Sequence, residues 1–189
     1  MDYVNYDKNF KDLDRPGREK FKAMCKYYGW EYGEPANDRL AYDCWFRDKE
    51  GRLYIVEIKD RDPKYEQYRE LVLEQDRYER IVNWYQRTGA YGAFYVNFIG
   101  EKAYIFDLGE PYITQKPSVM MMNAYTAKSR KQKISKAVYM LDKDRAYTWQ
   151  PSEEKSQNIN DNSSDNNSRY GNTVPDTICP SFNSSVALF

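Results

Sequence analysis

The sequence predicts a mixed α/β domain, a central sheet flanked by two helices, and three observations carry that expectation. Two strand-like runs, 40–46 and 52–58, enclose the polar stretch Arg47-Asp48-Lys49-Glu50-Gly51, which ends in glycine as a hairpin loop does. Two segments, 17–28 and 67–87, repeat apolar residues at helical spacing. Two further strand-like runs, 91–98 and 102–108, meet at a Gly100-Glu101 turn.

Taken in order, residues 1–15 are polar with scattered tyrosines and read as an irregular lead-in. Asp14-Arg15-Pro16-Gly17 then reads as the entry to a helix, because proline is well tolerated in a first helical turn. Phe21, Met24, Cys25 and Tyr28 form its apolar stripe, Glu19 suits the helix dipole, and Gly29 ends it. Trp30-Glu31-Tyr32 is a short strand candidate. After the hairpin, Asp60 to Tyr65 is a polar connection. The helix 67–87 follows, with Leu71, Tyr78, Ile81, Val82 and Tyr85 on its buried face and Glu74 and Gln75 between them. Polar groups on such a face need partners. Residues 109–149 form a basic extension: 111–141 holds no acid but six basic residues, Lys116, Lys128, Arg130, Lys131, Lys133 and Lys136. Within it Met120, Met121 and Met122 read as core packing, and 134–141 as a further strand. Residues 150–189 read as a disordered Asn/Ser-rich tail ending in the apolar stretch 181–189, a docking peptide for a partner or nothing. The domain itself thus spans 16–149, with its core at 16–108.

Composition narrows the chemistry. Histidine is absent, which excludes His-ligated zinc, Ser-His triads and histidine bases and leaves carboxylate, lysine and tyrosine chemistry. The three cysteines, Cys25, Cys44 and Cys179, are isolated, so neither a disulfide framework nor a zinc knuckle is expected. Formal net charge is zero, so any nucleic-acid surface must be local. No apolar run reaches the roughly 18 residues of a membrane span, and the N-terminus lacks signal-peptide character. A soluble, cytoplasmic protein is the expectation.

The chemistry concentrates in Arg52-Leu53-Tyr54-Ile55-Val56-Glu57-Ile58-Lys59. The two-residue repeat of a strand puts Glu57 and Lys59 on one face and Val56 and Ile58 on the other. A carboxylate and an ammonium at the end of a buried strand are costly unless they pair or bind something. Folding the hairpin brings Asp43, fourteen positions upstream of Glu57, towards them. The plainer readings are a strand-end turn residue for Asp43 and an edge-strand ion pair for Glu57 and Lys59.

This Asp-x13-Glu-x-Lys constellation resembles the PD-(D/E)xK nuclease superfamily, although Tyr42 stands where the family name has proline. The order helix, strand, strand, strand, helix, strand, strand over 16–108 is similar to its αβββαβ core, so a restriction-endonuclease-like fold is expected. The resemblance implies an enzyme, a nuclease that uses Mg²⁺ (or Mn²⁺) to hydrolyse phosphodiester bonds of a nucleic acid, DNA before RNA. By the same resemblance Asp43, Glu57 and the carbonyl of Ile58 are metal ligands, and Glu19 is a further candidate. Lys59 takes the water or phosphate role, and Glu74 or Gln75 supports it from the helix. Lys128, Arg130, Lys131, Lys133, Lys136 and Arg61 are the candidate nucleic-acid contacts, with Arg15, Arg18 and Lys64 as the fallback surface. Members that cut both strands often dimerise, which makes a homodimer an expected arrangement. The alternatives are a non-catalytic nucleic-acid-binding or phage accessory protein with the same fold, and an interaction module working through the tail.

Overall fold

The computed structural model describes residues 6–36, 40–114, 116–123 and 133–151. The chain divides into two units, Met1–Pro151 and Ser152–Phe189, and every described residue belongs to the first. The expectations for the tail therefore lie outside the described residues, as do those for Lys128, Arg130 and Lys131.

Helix α1 spans Tyr6–Tyr28 and runs through Pro16, which corrects the irregular lead-in over residues 6–15. In the sequence Tyr6, Phe10, Leu13, Gly17, Phe21, Met24 and Tyr28 lie three or four apart, one unbroken helical stripe. Pro16 is thus a residue inside the helix and not its start. Gly29, at φ 70°, closes the helix in the left-handed conformation that glycine adopts freely.

Strands β1 (Glu31–Gly33), β2 (Cys44–Arg47) and β3 (Leu53–Arg61) pair antiparallel in succession, with Cys44 opposite Val56 and Arg47 opposite Leu53. β3 then pairs in parallel with β5 (Gly92–Ile99), and β6 (Lys102–Asp107) and β9 (Tyr147–Trp149) complete a sheet in the order β1-β2-β3-β5-β6-β9. Parallel neighbours require a crossover, and helix α2 (Gln75–Thr88) lies in it. This is the expected central mixed sheet with flanking helices.

One expectation fails inside the crossover. The helix placed at 67–87 starts only at Gln75, and residues Glu70–Glu74 form strand β4. β4 pairs with β8 (Lys133–Asp142), which pairs with β7 (Ser118–Asn123), giving a second, three-stranded sheet. Leu71 and Leu73 are both buried two residues apart, the period of a strand. Leu71 also stands seven before Tyr78, a helical interval, so the local pattern fits either element and the partner strand β8 decides.

Side-chain alternation on β3 divides the core in two. Val56 and Ile58 point to the α1 side with Phe21, Met24, Cys25, Val96 and Phe98. Ile55 points to the other side with Leu71, Leu73, Ile81, Tyr95 and Phe106. Burial of these apolar faces, worth about 25 cal/mol per Å², holds the helices on the sheet. α1 approaches β3 closely at Gly17, where a Cβ would fall 2.8 Å from Ile58 Cγ2. That contact sets the next residue, Arg18, beside the end of the β2–β3 hairpin. Met120 and Met121 are exposed on β7, not packed in the core as expected, because β7 is the outer strand of the second sheet. No helix among the described residues is long and apolar enough to cross a membrane.

Candidate active site

The site is built where β2 gives out before β3 does. The last β2–β3 pair is Cys44 with Val56, and β3 continues to Arg61 along β5. Asp43 sits one residue before β2, its N–H donating to the Val56 carbonyl at 2.9 Å. Ile58, just past the last pair, donates its N–H to Asp43 Oδ2 at 2.8 Å. Glu57, fully buried, projects on the α2 side beside Asp43. Lys59, two residues on, sets Nζ 2.8 Å from Glu57 Oε1. The three residues singled out in the sequence are therefore neighbours at one hairpin end.

Two arginines complete the cluster. Arg77, in the first turn of α2, places Nη2 2.5 Å from Glu57 Oε2 and 3.7 Å from Asp43 Oδ1. Arg18 of α1 brings Nη2 to 3.6 Å from the same Asp43 oxygen and Nη1 to 3.4 Å from Glu34, which also accepts from the Tyr32 hydroxyl at 2.8 Å. Arg77 was absent from the sequence reading. Its signal was there once α2 begins at Gln75: it stands four residues before Ile81, the buried residue of that helix. It is also a cation in a first turn, where the helix dipole disfavours positive charge. Such a residue needs a local anion.

The electrostatics of the two acids diverge. Burial pushes the Asp43 carboxyl up to about 7, with the Glu57 charge adding to the effect and Lys59, the Ile58 N–H and Arg77 opposing it. Burial also acts to raise Glu57, but Lys59 and Arg77 together outweigh it and hold that carboxyl below its usual range. Burial acts to lower Lys59, yet Glu57, Tyr95 and Asp43 hold its ammonium above the ordinary lysine range. At neutral pH, Glu57 is the settled anion and Lys59 the settled cation.

Other expected site residues lie elsewhere. Glu74 ends β4 and pairs with Lys136 Nζ at 2.9 Å, while Gln75 donates to Glu79 at 2.7 Å. These residues line an open cavity of about 360 Å³ with Asp76 and Ala137. The support expected from them for Lys59 comes instead from Glu57, and the α2 residue at the site is Arg77. Glu74 lies in β4 and Gln75 only begins the helix, while Arg77 stands one turn before Ile81 on the face that packs on the sheet. Glu19 is exposed on α1, and its neighbour Arg18 is the residue that reaches Asp43. Arg61 turns inward: its guanidinium donates to Asn97 Oδ1 at 2.6 Å, the Tyr95 hydroxyl at 2.9 Å and the Val72 carbonyl at 3.0 Å. It braces β3 against β5 and β4. Lys133 is exposed at the start of β8.

Among the described residues there is no group of three or more Cys, Asp or Glu side chains that could hold a metal ion. What the site offers is two carboxylates and, on the same edge of β3, the Ile58 carbonyl. Glu57 Oε1 is buried and meets Lys59 Nζ at 2.8 Å, with no further partner among the described residues. The Asp43 Oδ1 contacts, at 3.6 and 3.7 Å, exceed hydrogen-bond distance. Under-bonded oxygens of two adjacent carboxylates fit a hard divalent cation that keeps several waters.

The chain matches no family model and no curated protein. Among solved structures it is similar to a Holliday junction resolvase of the archaeal hyperthermophile Archaeoglobus fulgidus, at 12% identity and a TM-score of 0.47, over 69% of this chain and 88% of that one. It is also similar to a bacterial homing endonuclease, at 23% identity and a TM-score of 0.35, over 51% of this chain and 64% of that one.

Proposed function

We propose that the chain is a divalent-metal-dependent nuclease acting on DNA, with Asp43, Glu57 and Lys59 at its centre. The observation that carries this reading is the meeting of an under-bonded carboxylate pair with a protonated lysine at one partly open strand end. Asp43, Glu57 and the Ile58 carbonyl would hold Mg²⁺ or Mn²⁺, which when bound supplies polarisation of a phosphoryl oxygen and activation of water.

The chain's own residues do the rest. Glu57, held ionised, anchors Lys59 through the 2.8 Å contact. Lys59 stays charged at neutral pH, so it acts as a donor and not as a base. About two fifths of its side chain is open to solvent (42%), enough to orient an attacking water or to neutralise charge growing on the phosphorus. Arg18 and Arg77 bring two guanidinium groups to the same end, where planar bidentate donors suit a phosphate. Lys133, with Lys128, Arg130 and Lys131 of the adjoining segment, supplies phosphate contacts that position the duplex without reading sequence.

A second reading, a fold-retaining nucleic-acid binder that does not cut, is favoured by one observation. Arg18, Lys59 and Arg77 already set three cations against two carboxylates. The test is a panel of linear, nicked, flapped and four-way DNA incubated with Mg²⁺ or Mn²⁺. Cleavage of at least one substrate by the wild type, lost in Glu57→Gln, is the expected result. Binding without cleavage across the panel would transfer the case to the second reading.

A further inference from the structure

We propose that Arg77 and a divalent cation compete for the space between Asp43 and Glu57. Before the ion binds, the guanidinium bridges the two carboxylates, and ion binding hands it over to the phosphate of the nucleic acid. The inference rests on the nuclease reading above and adds to the phosphate contact named there a role for Arg77 before the metal binds.

Geometry singles out Arg77 among the three cations at the site. Arg18 contacts only Asp43 of the pair, at 3.6 Å, and divides its charge with Glu34. Lys59 contacts only Glu57, at 2.8 Å, and rises from the same strand. Arg77 alone has one atom, Nη2, within 4 Å of both carboxylates, at 2.5 Å from Glu57 and 3.7 Å from Asp43. That is the relation a metal ligated by both acids would have. The two occupants cannot share it, because a guanidinium nitrogen and a divalent ion would repel at contact distance.

The arrangement also supplies a way out. Arg77 belongs to the first turn of α2, with about a quarter of its side chain (24%) already in solvent. A side chain entering from a helix end swings aside by rotation about its own torsions, without any change in β3. Released, it keeps its charge and its two-pronged donor set, which match the oxygens of a phosphodiester at the same strand end. Loss of one cation from three leaves two cations matched to two carboxylates and removes the local surplus of positive charge that opposes a divalent ion, so ion entry and Arg77 departure favour each other.

The experiment measures Mn²⁺ binding to the full chain by calorimetry and by electron paramagnetic resonance, in wild type and Arg77→Gln. Mn²⁺ should bind the variant at least about tenfold more tightly, roughly 1.4 kcal/mol, while cleavage at saturating Mn²⁺ falls by tenfold or more. A purely structural arginine would weaken both. A second measurement needs no variant. In wild type labelled at arginine with ¹⁵N, Mg²⁺ should shift the Arg77 guanidinium resonance and leave that of Arg52, bonded to Asp48, in place. Unchanged or weaker Mn²⁺ affinity in a folded Arg77→Gln, or an unmoved Arg77 resonance at saturating Mg²⁺, overturns the competition. Tighter binding with undiminished cleavage overturns the transfer to phosphate. If the wild type binds no divalent ion at all, the nuclease reading fails with it, whereas an active wild type with an indifferent Arg77 sinks this proposal alone.

Discussion

Two buried aspartates stand at opposite ends of the β2–β3 hairpin and are held in opposite ways. Asp48, in the turn, accepts the backbone N–H groups of Glu50 and Arg52 on Oδ1 at 3.1 and 2.9 Å. Its Oδ2 takes the Arg52 Nε at 2.5 Å and the Tyr54 hydroxyl at 3.2 Å. Asp43, at the other end, accepts one backbone N–H, from Ile58, with guanidinium groups near its second oxygen only at 3.6 and 3.7 Å. Both residues are 6% exposed, so surface exposure does not separate them. Depth in the molecule, the neighbouring Glu57 charge and the number of donors do. At Asp48, burial is outweighed by the Arg52 backbone and side chain and the carboxyl lies below its usual range, whereas Asp43 is pushed up to about 7. A buried carboxylate with its lone pairs filled holds a turn together. One whose second oxygen has only distant guanidinium partners, beside a second carboxylate, is on the proposed reading a place for a cation.

The largest effect expected from this contrast is catalytic. Asp43→Asn and Glu57→Gln should each slow single-turnover cleavage by about 10³ or more, roughly 4 kcal/mol of barrier. Asp48→Asn should stay within about threefold of wild type at a temperature where it is folded. An equal loss in all three would erase the distinction between the two ends.

Stability should rank the other way. Losing charge-assisted bonds at a buried acceptor costs roughly 1.5–3 kcal/mol, so Asp48→Asn should lower the urea midpoint strongly. Asp43→Asn at pH 8 should cost less than about 1 kcal/mol or stabilise the chain, since it removes a charge that burial disfavours. A larger loss from Asp43→Asn would make Asp43 the structural residue.

The pH dependence sharpens the same pair. Asp48 has a native value depressed below the unfolded one, so its contribution is present above about pH 4 and is lost as pH falls through the native value. Asp43 is raised, so the native state holds the extra proton between about 4 and 7 and stability falls as pH rises through that window. Asp107, raised by its burial to about 6, acts in the same sense and persists in every variant. The difference between wild type and Asp43→Asn should therefore slope between pH 4 and 7, and that between wild type and Asp48→Asn only below about 4. Urea titrations at half-unit pH steps read both, and parallel curves for wild type and Asp43→Asn would mean that Asp43 does not titrate there.

The smallest effect concerns the second sheet. Lys133 is exposed, while Lys136 is tied to Glu74 at 2.9 Å. Lys133→Gln should flatten the slope of log DNA affinity against log salt by about 0.9, and Lys136→Gln by less, because its charge is already matched. Equal changes would show that the Glu74 pair opens when DNA binds.

The hairpin was legible in the sequence because its signals are local. Alternation along β3 assigns Glu57 and Lys59 to one face, and a polar loop ending in Gly51 returns the chain so that Asp43 arrives beside them. The helix-to-strand order was legible for the same reason. Residues 70–74 were not, since Leu71 satisfies a helical and a strand period at once and only pairing with β8, some seventy residues away, selects the strand. Proline at position 16 looked like a boundary, yet helix α1 runs through it back to Tyr6. The arginines were the least legible part. A guanidinium's role depends on which carboxylate it reaches through a long flexible side chain, and no spacing encodes that. The approach of α1 at Gly17 and the start of α2 at Gln75 bring Arg18 and Arg77 onto Asp43 and Glu57, and both are decided by packing on the sheet.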